Sequence, residues 1–138
     1  MALSDELARI AGAASARAAP GEEVAAILVT EYADGERTYL CAFGEGTRRT
    51  WLALRGDGEP VLSRDRVREA VSVAALCEVA ADAAGDGAEP RVARLAYLDE
   101  LGAKEPSIAA AIREAVAAVD ELTREVESHY KLPLSDSD

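Results

Sequence analysis

Chemistry in this 138-residue chain would have to come from one histidine, two cysteines and scattered charged side chains. His129 is the only histidine, so any His–carboxylate–nucleophile arrangement would need it. It stands near the C-terminus at the end of a heptad stripe, where it reads as a helix-end or interface residue. Cys41 and Cys77 lie far apart in apolar surroundings, with no C-x-x-C and no Cys/His cluster. Buried free thiols in a reducing compartment are the expectation, and zinc is not. "GDGEP" and "AGDGAEP" lack the successive acidic ligands of a calcium loop and read as turns. "GEG" and "GDG" are not followed by the G-K-[ST] or G-x-x-G that would wrap backbone amides around a phosphate. "GEGTRR" does add Arg48 and Arg49 to a tight turn able to hold an anion. The structural alternative places Arg48 across from Phe43 and Arg49 toward solvent. No catalytic residue, cofactor or metal site is therefore expected.

These side chains need elements to hold them. Ser4–Ala19 reads as a helix with Ser4 as cap and Asp5 and Glu6 in its first turn, ended by Pro20-Gly21. The run from Glu23 to Leu62 is dense in strand formers and broken by Asp34-Gly35, Glu45-Gly46 and Gly56-Asp57-Gly58. It predicts an antiparallel meander, Glu23–Ala33, Glu36–Gly44 and Thr47–Arg55, with a possible fourth strand at Val61–Leu62. A two-residue turn at Asp34-Gly35 sets Leu28 against Cys41 and Val29 against Leu40. Setting Phe43 against Arg48 puts Tyr39 across from Leu52, Leu40 across from Trp51, and Glu36 across from Arg55. One face then carries Leu28, Tyr32, Tyr39, Cys41, Phe43, Leu52 and Leu54. The other carries Ile27, Val29, Leu40, Ala42, Trp51 and Ala53. Both are largely apolar, so something must cover each.

Arg64–Ala84 predicts a helix capped by Ser63 and apolar nearly all round, hence buried on more than one side. Pro90–Ala103 predicts a third helix, lined by Val92, Leu95, Leu98 and Leu101. The last helix spans Ser107 to about Tyr130, with Ser107 as cap. Ile108, Ile112, Ala115, Val119, Leu122, Val126 and His129 recur at alternating spacings of four and three, a heptad pattern. Residues 131–138 read as a flexible tail. The order helix, three-stranded meander, helix over roughly the first 84 residues resembles the double-stranded-RNA-binding domain. The resemblance is of element order only, and it carries no function here.

The expected class is α+β: one domain of 138 residues, with a three-stranded or four-stranded antiparallel meander, about four helices and a helical C-terminal half. Apolar residues make up 49%, which argues against global disorder. A net charge of −11 repels nucleic acid and anionic lipid, and neither partner is expected. The N-terminal stretch lacks a signal peptide's apolar centre, so a cytoplasmic protein is expected. The alanine and arginine richness is bacterial in character. The functional expectation is a noncatalytic protein–protein interaction module, homodimeric through Ile112, Val119, Leu122 and Val126 of the heptad stripe. One alternative is a small-molecule binder or sensor, with Glu31, Tyr39, Arg49 and Trp51 as polar handles between sheet and helices. Another is an acidic inhibitor that imitates nucleic acid.

Overall fold

The computed structural model describes residues 3–32, 34–45, 48–83, 92–94, 103 and 105–135. In chain order the elements are α1 (Leu3–Ser15), β1 (Glu23–Glu31), β2 (Arg37–Glu45), β3 (Arg48–Arg55), α2 (Arg64–Ala83), β4 (Val92–Arg94) and α3 (Pro106–Ser128). The class is α+β, with three helices among the described residues rather than about four. The sheet is four-stranded and mixed, in the order β3-β2-β1-β4. β1, β2 and β3 form the expected antiparallel meander. β4 runs parallel to β1, pairing Val29 with Val92 and Glu31 with Arg94. Residues 92–94 are thus strand where a third helix was expected, and most of that helix's span lies outside the described residues. A strand of three residues leaves no period-two pattern to read.

Each face of the sheet is covered by its own chain. Ile10 and Ala14 of α1 pack on Val29, Tyr39, Cys41, Phe43, Leu52 and Leu54. On the opposite face, Val67 and Val71 of α2 and Val126 of α3 pack on Leu40 and Ala53. A third cluster joins Val73, Cys77 and Ala80 of α2 to Ala93 of β4 and Ile108 of α3, and Ile112 packs against it. α2 is buried toward both sheet and α3, as its apolar circumference requires. Tyr39 and Phe43 are fully buried, and burial of the Phe43 side chain is worth roughly 1.5–3 kcal/mol relative to exposure.

The registers differ from the expected ones, and the turns explain the first shift. The Tyr32 N–H donates to the Glu36 carbonyl (2.8 Å) and the Gly35 N–H to the Tyr32 carbonyl (2.9 Å). Three residues, not two, therefore separate the paired positions, with Gly35 in the left-handed region at φ 86°. Leu28 now faces Leu40 and Val29 faces Tyr39. A one-residue slip exchanges the faces of a strand. Val29 and Ile27 accordingly join Tyr39 and Cys41 on the α1 side, while Leu28 joins Leu40. A bulge between Val24 and Ala26 lets Val24 pack on that α1 side too. The β2–β3 register is shifted by two, with Tyr39 against Leu54, Cys41 against Leu52 and Ala42 against Trp51. A shift of two leaves the faces of β3 as expected. Phe43 lies opposite Thr50 rather than Arg48, and Arg55 opposite Thr38 rather than Glu36. The cation over the Phe43 ring is Lys131, with Nζ 4.5 Å from the centroid.

α3 starts at Pro106, with Glu105 as the cap residue (φ −137°, ψ 118°), so Ser107 is not the cap. Proline is well placed at a first helical position, whose N–H needs no partner within the helix. The chain after α3 is not a loose tail as far as it is described. The Trp51 N–H donates to the His129 carbonyl (3.0 Å) and the Lys131 N–H to the Trp51 carbonyl (2.9 Å). The Ser135 N–H donates to the Leu62 carbonyl (2.7 Å), and the Arg64 N–H to the Ser135 carbonyl (2.9 Å). Leu132 and Leu134 pack against the two sheet-face clusters.

Candidate functional site

Two turns of the same design stand at one end of the sheet. After β1 comes Asp34-Gly35-Glu36, and after β3 comes Asp57-Gly58-Glu59. In each, the Asp Oδ1 accepts the following Glu N–H at 3.0 Å, and the Gly takes φ 86°. In each, the last residue before the turn donates its N–H to that Glu carbonyl, Tyr32 to Glu36 and Arg55 to Glu59, both at 2.8 Å. Only glycine adopts such a φ without steric cost. The second turn folds residues 59–61 back along the outer edge of β3, where Pro60 bridges Leu54. The expected strand at Val61–Leu62 does not form: Pro60 makes an isolated bridge and the Val61 N–H donates once, to the Ala53 carbonyl (2.8 Å). α2 then starts beside the turns, its Arg66 N–H held by Ser63 Oγ at 3.3 Å.

A groove of about 720 Å³ lies between these parts. Glu36, Arg37 and Thr38 line it from the start of β2, and Arg55, Gly56 and Asp57 from the end of β3. Pro60, Val61, Leu62, Ser63 and Arg66 complete the wall. Its size suits a small molecule. Arg37 is committed elsewhere, to Glu6 at 2.8 Å and Glu31 at 3.1 Å. Arg55 has no ion-pair partner among the described residues. Arg66 lies over the Tyr32 ring, 4.4 Å from its centroid. The Tyr32 hydroxyl donates to the Arg66 carbonyl (3.2 Å) and accepts from Thr38 Oγ1 (2.9 Å). Burial pushes that phenol above its ordinary pKa.

The four expected ligand-binding residues do not converge. Glu31 is held between Arg94 (3.2 Å) and Arg37 (3.1 Å), and these hydrogen bonds, Arg94 first, keep its carboxyl below the usual range. Tyr39 is fully buried under α1. Arg49 is exposed. Trp51 sits on the opposite face, against the cluster that holds Val61, Val67 and Val126. The Tyr39 hydroxyl and Trp51 Nε1 are buried with no hydrogen-bond partner among the described residues. Of the stripe expected to form a homodimer, Val119 and Val126 are buried, and Ile112, Leu122 and Val126 pack within the chain's own clusters.

Other ionisable groups are engaged in the fold. The Lys131 ammonium pairs with Glu22, and that hydrogen bond lowers the Glu22 pKa. Arg68 and then Arg64 do the same for Glu127, each at 2.5 Å. Burial pushes the Cys41 thiol up to about 12, so it stays protonated at neutral pH. Cys41 and Cys77 are buried in clusters on opposite faces of the sheet and do not pair with each other. Among the described residues no group of three or more His, Cys, Asp or Glu is placed to hold a metal ion. No helix there is long and apolar enough to cross a membrane. Sequence reasoning missed the groove because its walls come from four short stretches. The repeated Asp-Gly-Glu was the visible signal. Comparison with protein-family models, curated proteins and solved structures finds no match.

Proposed function

We propose that this chain is a noncatalytic binding domain whose ligand, a small molecule, seats in the groove between the two Asp-Gly-Glu turns and α2. The observation that carries the reading is the pair Arg55 and Arg66, which line a concavity and, among the described residues, have no carboxylate closer than Glu36 at 3.9 Å from Arg66. The state of the perturbed groups supports a noncatalytic role. The shifted carboxyls of Glu22, Glu31 and Glu127 are lowered by bound cations, not raised toward neutrality where an acid catalyst works. Cytoplasmic placement belongs to the same proposal and rests on two buried cysteines set in clusters on opposite faces of the sheet, too far apart in the fold to bridge.

The test is a thermal-shift screen of a small-molecule panel on the natural chain and on Gly56→Leu. Gly56 lines the groove, and a Cβ added there meets nothing within 4 Å, so the variant should fold with a narrowed groove. A ligand at about 100 times its Kd stabilises by about 2.7 kcal/mol, and the variant should lose that gain. No shift across the panel refutes the reading.

A homodimeric interaction module is the competing proposal. Its two supports were an uncovered sheet face and an unpartnered stripe, and the chain's own helices take up both. Light scattering on a sizing column decides between them. A 14.5 kDa particle at tens of micromolar favours the groove, and twice that mass favours the dimer. Nucleic-acid imitation is a third proposal, from which Glu22, Glu31 and Glu127 are set aside because they are tied to cations of the fold.

A further inference from the structure

We infer that the groove is an oxyanion site, in which Arg55 and Arg66 clamp a small acid whose apolar body lies along Pro60 and Leu62. This rests on the groove being the binding surface and adds the class of ligand.

The arginines divide by what they meet. Arg37, Arg64, Arg68 and Arg94 tie elements together, each reaching a carboxylate at 3.2 Å or less. Among the described residues Arg55 does not, although it is exposed on the groove wall. Among the described residues Arg66 reaches only Glu36, at 3.9 Å, with side chains 41% and 63% exposed, an arrangement worth little in water. Its guanidinium is nonetheless placed, because Tyr32 packs against it and is fixed in turn by Thr38 and the Arg66 carbonyl. A positioned cation loses less freedom when it takes a ligand. Guanidinium presents a planar fork of donors that matches carboxylate and phosphate oxygens.

Two carboxylates share the groove lining with the arginines, Glu36 at 3.9 Å from Arg66 and Asp57, and the clamp works against both. Asp57 turns Oδ1 to the Glu59 N–H, and Arg37 is taken by Glu6 and Glu31. The amides of α2's first turn are partly used as well, Arg64 N–H by Ser135 and Arg66 N–H by Ser63 Oγ. The attraction therefore comes from the guanidinium groups. The chain's net charge of −11 slows the approach of an anion, but screening over about 8 Å at physiological salt leaves the nearest charges in control. The apolar lip is Pro60 with Leu62, which is 45% exposed. An acid with an apolar body satisfies both walls, and a bare ion satisfies one.

Calorimetric titration of the whole chain with benzoate, acetate, inorganic phosphate and the neutral analogue benzamide tests this. Benzoate should bind, acetate more weakly, and benzamide at least tenfold more weakly than benzoate. Arg55→Gln and Arg66→Gln should each weaken benzoate at least tenfold, and Arg66→Lys less than Arg66→Gln. The Arg55 side chain has no ion-pair partner among the described residues, so its variant should melt as the natural chain does, which keeps folding out of the comparison. Affinity should fall as salt rises from 50 to 500 mM. Phosphate binding that Arg55→Gln abolishes supports the clamp with phosphate as the group held. Benzoate binding unchanged in Arg55→Gln, or matched by benzamide, overturns the anion assignment. If neutral compounds bind and Gly56→Leu abolishes that, the groove stands and the ligand class falls. If nothing binds, both fall.

Discussion

Replacing Tyr130 with Phe removes one oxygen from the outer edge of β3. The Tyr130 hydroxyl donates to the Val61 carbonyl at 2.5 Å and accepts the Ala53 N–H at 3.0 Å. Ala53 and Val61 are buried, so water does not readily replace the lost partner. Each hydrogen bond contributes about 0.5–1.5 kcal/mol net, and a buried amide left unpaired costs about 1–3 kcal/mol. The variant should lose about 2–3 kcal/mol, roughly 6–12 °C in Tm for a domain of this size. The phenol's pKa gives a second signature. Burial raises it from 10.0 to about 12 in the folded chain. A raised pKa means the fold prefers the protonated form, so this stability is complete below pH 10 and lost as pH rises toward 12. Urea melts at neutral pH and near pH 11 would read both effects. The natural chain should weaken more than Tyr130→Phe over that interval. A neutral-pH loss below about 0.5 kcal/mol, less than one ordinary hydrogen bond, would refute the reasoning.

Two further outcomes follow from the same accounting of polar groups. Tyr39→Phe deletes a fully buried hydroxyl without a partner among the described residues, so urea melts should show no loss or a gain of up to about 2 kcal/mol; a loss above about 1 kcal/mol would show a bond the geometry lacks. Glu31→Gln should cost about 1 kcal/mol at neutral pH, since its two ion pairs are partly exposed. Because the folded Glu31 pKa is lowered, that advantage is present above the unfolded value near 4.5 and lost as pH falls through the folded one. Melts at pH 7 and pH 3 should therefore differ less between the two chains at pH 3, and a constant difference would sink the assignment.

The meander, the enclosed α2 and the heptad-bearing α3 were legible because period and turn residues mark them. The first register was not, because Asp-Gly fits both a two-residue turn and the end of a three-residue one. Only the Tyr32–Glu36 pairing separates them, and the difference moved Val29 to the other face. β4 was hidden because Val92, Leu95 and Leu98 recur at spacings that suit a helix. The heptad stripe was read correctly as apolar, but apolarity does not say whose surface it meets. The groove was invisible because its arginines stand eleven residues apart, and only the fold brings residues 36, 55 and 66 to one wall.

The sealing of β3 has a consequence for the order in which the chain is made. Trp51 is paired by residues 129 and 131, Ala53 by Tyr130 and Val61, and Arg55 by its own turn. Residues 53 and 130 are separated by 77 positions. At about 5–20 residues per second, the partners of Trp51 emerge about 4–15 s after the strand they cover. During that interval the nascent sheet has a finished meander and one unsealed border at Trp51. Sequence alone schedules this exposure, and it ends when the last helix delivers Tyr130.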